Sequence, residues 1–125
     1  MKKIRLHTET YFDSAHRLVG YDGKCIKMHG HTWKVQLWIE GYGKDIDSVG
    51  IMFDFGILKQ LCEKFDHKIL NEMEYFRYKN PTAENISITI FDLMKKIKPN
   101  LDFCVRIYET SVGKTTWAEY GDFYI

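Results

Sequence analysis

The sequence predicts an α+β fold: a four-stranded antiparallel sheet with two helices on one face, in the order β-β-α-α-β-β. Three observations predict it. The N-terminal part alternates apolar and polar residues in two stretches. The middle carries two apolar stripes at helical spacing. The C-terminal part alternates again.

The first alternation covers residues 3–14. Ile4, Leu6 and Phe12 share one parity, and Arg5, His7, Glu9 and Asp13 share the other, the mark of a half-buried strand. A loop, RLVGYDGKCIKM, follows. Residues 31–40 alternate with Trp33, Val35, Leu37 and Ile39 on one face; Lys34, Gln36, Trp38 and Glu40 lie on the other. GYGKDIDSVG then reads as turn and loop. Asp54 is placed to cap a helix over 55–65, striped by Phe55, Leu58, Leu61, Cys62 and Phe65. Pro81-Thr82 opens a second helix, with Thr82 as N-cap and Glu84 near the positive end of its dipole. Its stripe is Ile86, Ile90, Leu93, Met94 and Ile97, and Pro99 stops it. Phe103, Val105 and Ile107 alternate with Cys104, Arg106 and Tyr108 in a third strand. Residues 115–124 supply a fourth, less regular one. The second sheet face is largely polar, so either water or a subunit-lined channel covers it.

A chain of 125 residues suits one domain, 1–125. A charge balance of 18 basic and 17 acidic residues gives no support to nucleic-acid binding or a membrane surface. MKKIRLHTETYF lacks an apolar signal segment, and VGIMFDFGIL is short and broken by Asp54, so no bilayer span is expected. Cys25, Cys62 and Cys104 are odd in number and widely spaced. No disulfide framework follows, and a reduced, cytoplasmic compartment fits. Cys62 and Cys104 read as structural.

The chemistry concentrates in CIKMHGH, residues 25–31. On a strand, His29 and His31 point to the same side, roughly 7 Å apart at their Cα atoms. Both share the parity of Trp33 and Val35. His16 ends the first strand on the parity of Ile4, Leu6 and Phe12. Three imidazoles at neighbouring strand ends can hold a metal with its fourth position open, as catalytic zinc is held. Zinc is favoured for imidazole, though copper, nickel and iron accept the same donors. The alternative is three hydrogen-bonded structural histidines.

Other groups admit more than one reading. Cys25 is a fourth ligand, a plain loop thiol, or a nucleophile or base held near the metal; spacing does not choose. Asp66-His67 is a carboxylate fixing an imidazole's tautomer, or a histidine favoured by the end of a helix dipole. Glu109 continues the apolar parity of Phe103, Val105 and Ile107. There it needs a cation or a ligand with planar N–H groups, unless the strand has already ended and it is solvated. Arg17, Lys24, Lys27 and Lys34 surround the histidine loop; they attract an anionic substrate or form a solvated basic loop.

Seven segments together resemble the 6-pyruvoyl-tetrahydropterin synthase family: FDSAHRL (12–18), CIKMHGH (25–31), MFDFGILK (52–59), FDHKILN (65–71), NPTAENIS (80–87), VRIYET (105–110) and TTWAEY (115–120). They keep the family's order over nearly the whole chain. The resemblance is greatest to the branch serving queuosine (7-deazaguanine) synthesis.

The resemblance implies the tunnelling fold, in which subunits join their sheets into a barrel around a channel. The implied assembly is a homo-oligomer, a hexamer of two trimers with active sites between subunits. His16, His29 and His31 match the Zn2+ ligands. Cys25 matches a thiol that moves protons on the substrate side chain, near the zinc and not bound to it. Asp66 and His67 match a proton relay. Glu109 matches the residue holding the pterin's amino-pyrimidinone edge, and it is also described as part of the relay. Thr82 and Glu84 match the pterin pocket.

The implied substrate is a pterin triphosphate, 7,8-dihydroneopterin triphosphate. The queuosine branch releases acetaldehyde and triphosphate and leaves a 6-carboxyl group; the pyruvoyl branch stops at 6-pyruvoyl-tetrahydropterin. Three residues separate Cys25 from HGH, where animal pyruvoyl-forming members carry a longer insertion. A third branch with Glu at the Cys25 position favours aldolase-type cleavage, and this chain does not match it. The remaining alternative is a zinc- or pterin-binding protein without turnover.

Overall fold

The computed structural model describes residues 1–20, 27–110 and 116–125. The elements are β1 (Ile4–His16), β2 (His29–Gly41), α1 (Gly56–Glu63), β3 (Lys68–Ile69), α2 (Ala83–Ile97), β4 (Asp102–Thr110) and β5 (Trp117–Gly121). Short 3₁₀ turns lie at Gly43–Asp45, Leu70–Glu72 and Glu74–Phe76. The sheet order is β3-β1-β2-β4-β5. The expected fold class holds, with one correction: the sheet has five strands. The added strand, β3, is two residues long and pairs parallel to β1 at Ser14 and Ala15. Two residues show no alternation, so nothing in the sequence marks it.

β1 runs past the alternating stretch 3–14 to His16, and β2 exceeds 31–40 at both ends. They pair antiparallel from Ile4↔Gly41 to His16↔His29. β2 pairs antiparallel with β4, with Trp33 opposite Glu109. The odd residues Trp33, Val35, Leu37 and Ile39 of β2 are all fully buried, as are Phe103, Val105 and Ile107 of β4. Phe12 completes this face on β1. α1 packs on β1, and α2 on β4 and β5, so both helices cover one face.

Helix ends differ in detail from the expectation. Asp54 Oδ1 accepts from Gly56 N at 2.8 Å, but the residue flanking α1 is Phe55, which is half exposed. Phe55 therefore lies outside the stripe, while Leu58, Leu61 and Cys62 carry it. α2 is capped as expected: Thr82 Oγ1 accepts from Asn85 N at 3.1 Å. Ile86, Ile90 and Met94 form its buried stripe, and Ile97, the last residue of the helix, is exposed.

The opposite sheet face carries paired charges. Arg5 Nη2 donates to Glu40 Oε2 at 2.6 Å, Lys34 pairs with Glu9 at 3.2 Å, and Arg106 donates twice to Glu119, at 3.0 and 2.8 Å. The Arg106 guanidinium also lies 4.0 Å from the Trp117 ring and 4.9 Å from Trp38. Lys34 belongs to this face, so it does not join the histidine loop. No helix among the described residues is long and apolar enough to cross a membrane.

Candidate metal centre

The register of three strands builds the site. His16 is the last residue of β1 and stands directly opposite His29, the first residue of β2. His31 follows on the same face, opposite Ser14. Glu109 comes from the far end of β4, beside Trp33. Directly opposed side chains lie about 4.5–5.5 Å apart at Cβ, so four polar side chains converge where the apolar face of the sheet ends. Trp33, fully buried, forms the floor: its ring centroid is 5.0 Å from that of His16 and 5.2 Å from that of His31.

His16, His29, His31 and Glu109 each bring one ligand atom into a group whose members all lie within 4.8 Å of one another. His16 Nε2 and His29 Nε2 are 3.2 Å apart. Glu109 Oε1 is 2.9 Å from His31 Nε2 and 3.5 Å from His16 Nε2. A tetrahedral zinc with Zn–N bonds of about 2.0–2.1 Å spaces its ligand atoms roughly 3.3 Å apart. The observed separations bracket that value.

The outer partners make the fit chemical as well as geometric. His16 Nδ1 donates to the Pro81 carbonyl at 2.7 Å, and His29 Nδ1 donates to the Lys27 carbonyl at 2.7 Å. A carbonyl only accepts, so both rings carry their proton on Nδ1. In the neutral rings Nε2 is then a bare lone pair. Two lone pairs 3.2 Å apart repel unless a cation or an added proton lies between them. Carbonyl partners that fix the tautomer this way are the usual outer shell of metal-bound imidazole. The donor set therefore fits a zinc ion, and the four residues can hold one.

Glu109 is not solvated, as one expectation allowed; the strand runs past it and it is half-buried. Where the rings carry an added proton in the metal-free protein, a hydrogen bond from His16 and the charges of His31, His16 and His29 hold its carboxyl below the ordinary carboxylate value, against burial. By distance the His31 contact is the stronger of the two.

Asp66 and His67 do not join the donor group of the histidines, although His67 and His31 line one open cavity. With Asp13 they make a separate group. Asp13 N donates to Asp66 Oδ1 at 2.8 Å, and His67 N donates to Asp13 O at 2.6 Å. His67 Nε2 lies 3.4 Å from Asp66 Oδ2, and its ring is 80% exposed. α1 ends at Glu63, so His67 stands past the last turn and the dipole account does not apply. His67 instead has φ of 54°, a left-handed conformation unusual outside glycine and a mark of local strain. Asp13 escaped the sequence reading because its parity assigned it to the polar face. The clue to it was the turn geometry at 66–67, which no local pattern reveals.

Thr82 caps α2, and Glu84 is exposed in its first turn, both one to three residues from the Pro81 carbonyl that holds His16. Cys25 and Lys24 lie outside the described residues. Cys62 and Cys104 are buried free thiols, and burial pushes each up to about 12.

A sequence model described as 6-pyruvoyl tetrahydropterin synthase matches residues 5–122. The chain belongs to the 6-pyruvoyl tetrahydropterin synthase family. Among relatives in this family, a 6-carboxy-5,6,7,8-tetrahydropterin synthase of Rickettsia bellii is 30% identical over 122 residues, covering 81% of this chain and 85% of the relative. One of Bacillus subtilis with the same name is 30% identical over 114 residues, covering 84% and 77%. In fold the chain is similar to the 6-pyruvoyl tetrahydropterin synthase of Plasmodium vivax, with a TM-score of 0.65 at 19% identity over 96% of this chain and 99% of that one. An uncharacterised protein of Wolinella succinogenes gives 0.72 at 16% identity, covering 98% and 100%. The function of the chain is thus of the tetrahydropterin-synthase type.

Proposed function

We propose that the chain is a zinc-dependent carbon–carbon lyase. It converts 7,8-dihydroneopterin triphosphate to 6-carboxy-5,6,7,8-tetrahydropterin, releasing acetaldehyde and triphosphate, in queuosine synthesis. One observation carries the reading: three imidazoles converge, two of them with tautomers set by backbone carbonyls, in a chain whose relatives bear the 6-carboxytetrahydropterin synthase name.

His16, His29 and His31 hold the ion. Zinc, when bound, supplies Lewis acidity that lowers the pKa of hydroxyls beside it. Glu109 stays ionised and accepts from the N–H edge of the pterin, a planar pairing that orients the ring. Thr82 and Glu84 line the pterin pocket. A hydroxyl accepts and donates at once, so Thr82 can cap α2 and still donate to a ligand. Cys25 moves protons on the side chain, with the Asp66–His67 pair as relay. That pair lies apart from the histidine group of its own chain. The reading therefore has it serve the substrate of a neighbouring subunit in a homo-oligomer, a hexamer built as two trimers.

The test is incubation of the zinc-loaded protein with 7,8-dihydroneopterin triphosphate and mass spectrometry of the products. The expected pair is the 6-carboxy product and acetaldehyde. Absence of both the 6-carboxy and the 6-pyruvoyl products would sink the reading. Glycolaldehyde would instead mark aldolase-type cleavage.

A second reading rests on Glu109. At 2.9 and 3.5 Å from two ring nitrogens it is placed to be a fourth ligand. A closed site of three histidines and a carboxylate belongs to structural zinc, and the chain would then bind zinc or pterin without turnover.

A further inference from the structure

β1 ends at His16, yet the chain beyond it is held as though a strand continued. β3 pairs with Ser14 and Ala15. At Arg17 the partner is a side chain: Arg17 N donates to Asn71 Oδ1, and Asn71 Nδ2 donates to Arg17 O, both at 2.9 Å. At Val19 it is another: Val19 N donates to Asn80 Oδ1, and Asn80 Nδ2 donates to Val19 O, again both at 2.9 Å. A carboxamide carries the same donor and acceptor as a peptide group. Each asparagine thus replaces one residue of a missing strand. Residues 15, 17 and 19 are laddered in succession by Ile69, Asn71 and Asn80.

The second clamp closes on the metal centre. Asn80 is followed by Pro81, whose carbonyl takes the Nδ1 proton of His16 at 2.7 Å. The backbone of Asn80 is itself fixed: its carbonyl accepts from Asn85 Nδ2 at 2.8 Å and from Thr82 N at 2.9 Å. Two adjacent residues, 80 and 81, therefore grip residues 19 and 16, one through a side chain and one through a carbonyl. A shift at Val19 moves Asn80, and with it the carbonyl that sets the tautomer and rotation of His16.

We infer that Asn80, supported by Asn71, is a positioning residue for the zinc ligand His16. It holds the imidazole in its metal-ready tautomer before the ion arrives. This inference rests on the metal-site reading, since it requires that the histidines bind zinc. Loss of an outer partner of a ligating histidine costs about 10–100-fold in metal affinity, and Asn80 acts one bond further out. The expected loss for Asn80→Ala is near the lower end, about tenfold.

The test compares full-length wild type, Asn80→Ala, Asn80→Asp, Asn71→Ala and Asp47→Ala. Asp47 Oδ1 makes a similar double clamp, accepting from Val49 N at 3.0 Å and Ile51 N at 2.9 Å, in a loop well away from the histidines. Zinc affinity is measured by competition with a chelating dye, apo-protein stability by Tm, and the His16 tautomer in the apo protein by nitrogen-15 NMR. The expected result is a weaker zinc Kd and a mixed His16 tautomer in the Asn80 variants, with a smaller effect in Asn71→Ala. Asp47→Ala should lose Tm and keep the wild-type Kd. Asn80→Asp keeps the acceptor for Val19 N, so it serves if Asn80→Ala does not fold. Wild-type zinc affinity and tautomer in the Asn80 variants, with Tm alone lowered, would overturn the inference and leave the metal site standing. A wild type that takes no zinc would overturn both.

Discussion

Glu109 is the residue on which the two readings of the site divide. If it holds the pterin, Glu109→Gln keeps the zinc Kd near wild type, while kcat/KM falls by at least about 100-fold, as loss of a charged positioning contact does. If it is a ligand, zinc affinity falls with it. Its titration offers a second check, in the metal-free protein. A carboxyl whose folded pKa lies below its ordinary value of 4.5 stabilises the fold above that value. That contribution disappears as pH falls through the lower, folded pKa. Denaturant unfolding should show wild type losing any advantage over Glu109→Gln in that acidic window. The thiols separate in the same way. Cys62 and Cys104, each pushed up to about 12 by burial, should resist iodoacetamide at pH 8 in the native protein and react on unfolding. Under the proposed function Cys25 is the thiol that labels, and Cys25→Ala abolishes turnover while zinc content stays at the wild-type level. Zinc loss in that variant would make Cys25 a ligand.

At the scale of elements, helix capping and strand edges matter because they aim the site. Thr82→Ala removes the cap of α2 and should cost about 1 kcal/mol in chemical denaturation. Because the same turn carries Pro81 and Glu84, a loss much smaller than this would mean that the turn is held by the Asn80 clamp and not by the cap. β5 depends on a close approach. A Cβ added at Gly121 would meet the Phe103 carbonyl oxygen and come within 2.6 Å of Cys104 Cα. Gly121→Ala should therefore destabilise by about 1–3 kcal/mol, as overpacking does, read as a shifted denaturation midpoint with zinc binding intact.

At the scale of the whole molecule, two features call for partners. Over residues 4–12, β1 has a strand partner on one side alone among the described residues. Ile46, Ile51 and Phe55, each 40–51% exposed, line an apolar cavity of about 410 Å³ that reaches Ile4 and Leu6. Unpaired strand edges and apolar patches are surfaces that proteins cover, and a neighbouring subunit of the proposed oligomer would be one such cover. If Asp66–His67 serves a neighbouring subunit, then His31→Ala and His67→Ala are each inactive alone but regain partial activity when co-expressed. Mixed assemblies contain some sites with all residues intact. No recovery would return the relay to its own chain or remove it from the mechanism.

The strand parities, both helices, the Thr82 cap and the three histidines were legible in the sequence. Burial against one face imposes a period on residue type, and His16, His29 and His31 sit in that period. The two-residue β3 and the left-handed turn at His67 were not. They depend on backbone pairing with distant residues, which leaves no periodic trace. The sequence by itself determined which face each imidazole points from. Only the tertiary structure decided that Glu109 meets them, that Asp66–His67 stands apart with Asp13, and that carbonyls at Pro81 and Lys27 set the tautomers. Those outcomes depend on strand register and on main-chain atoms, which every residue type carries alike.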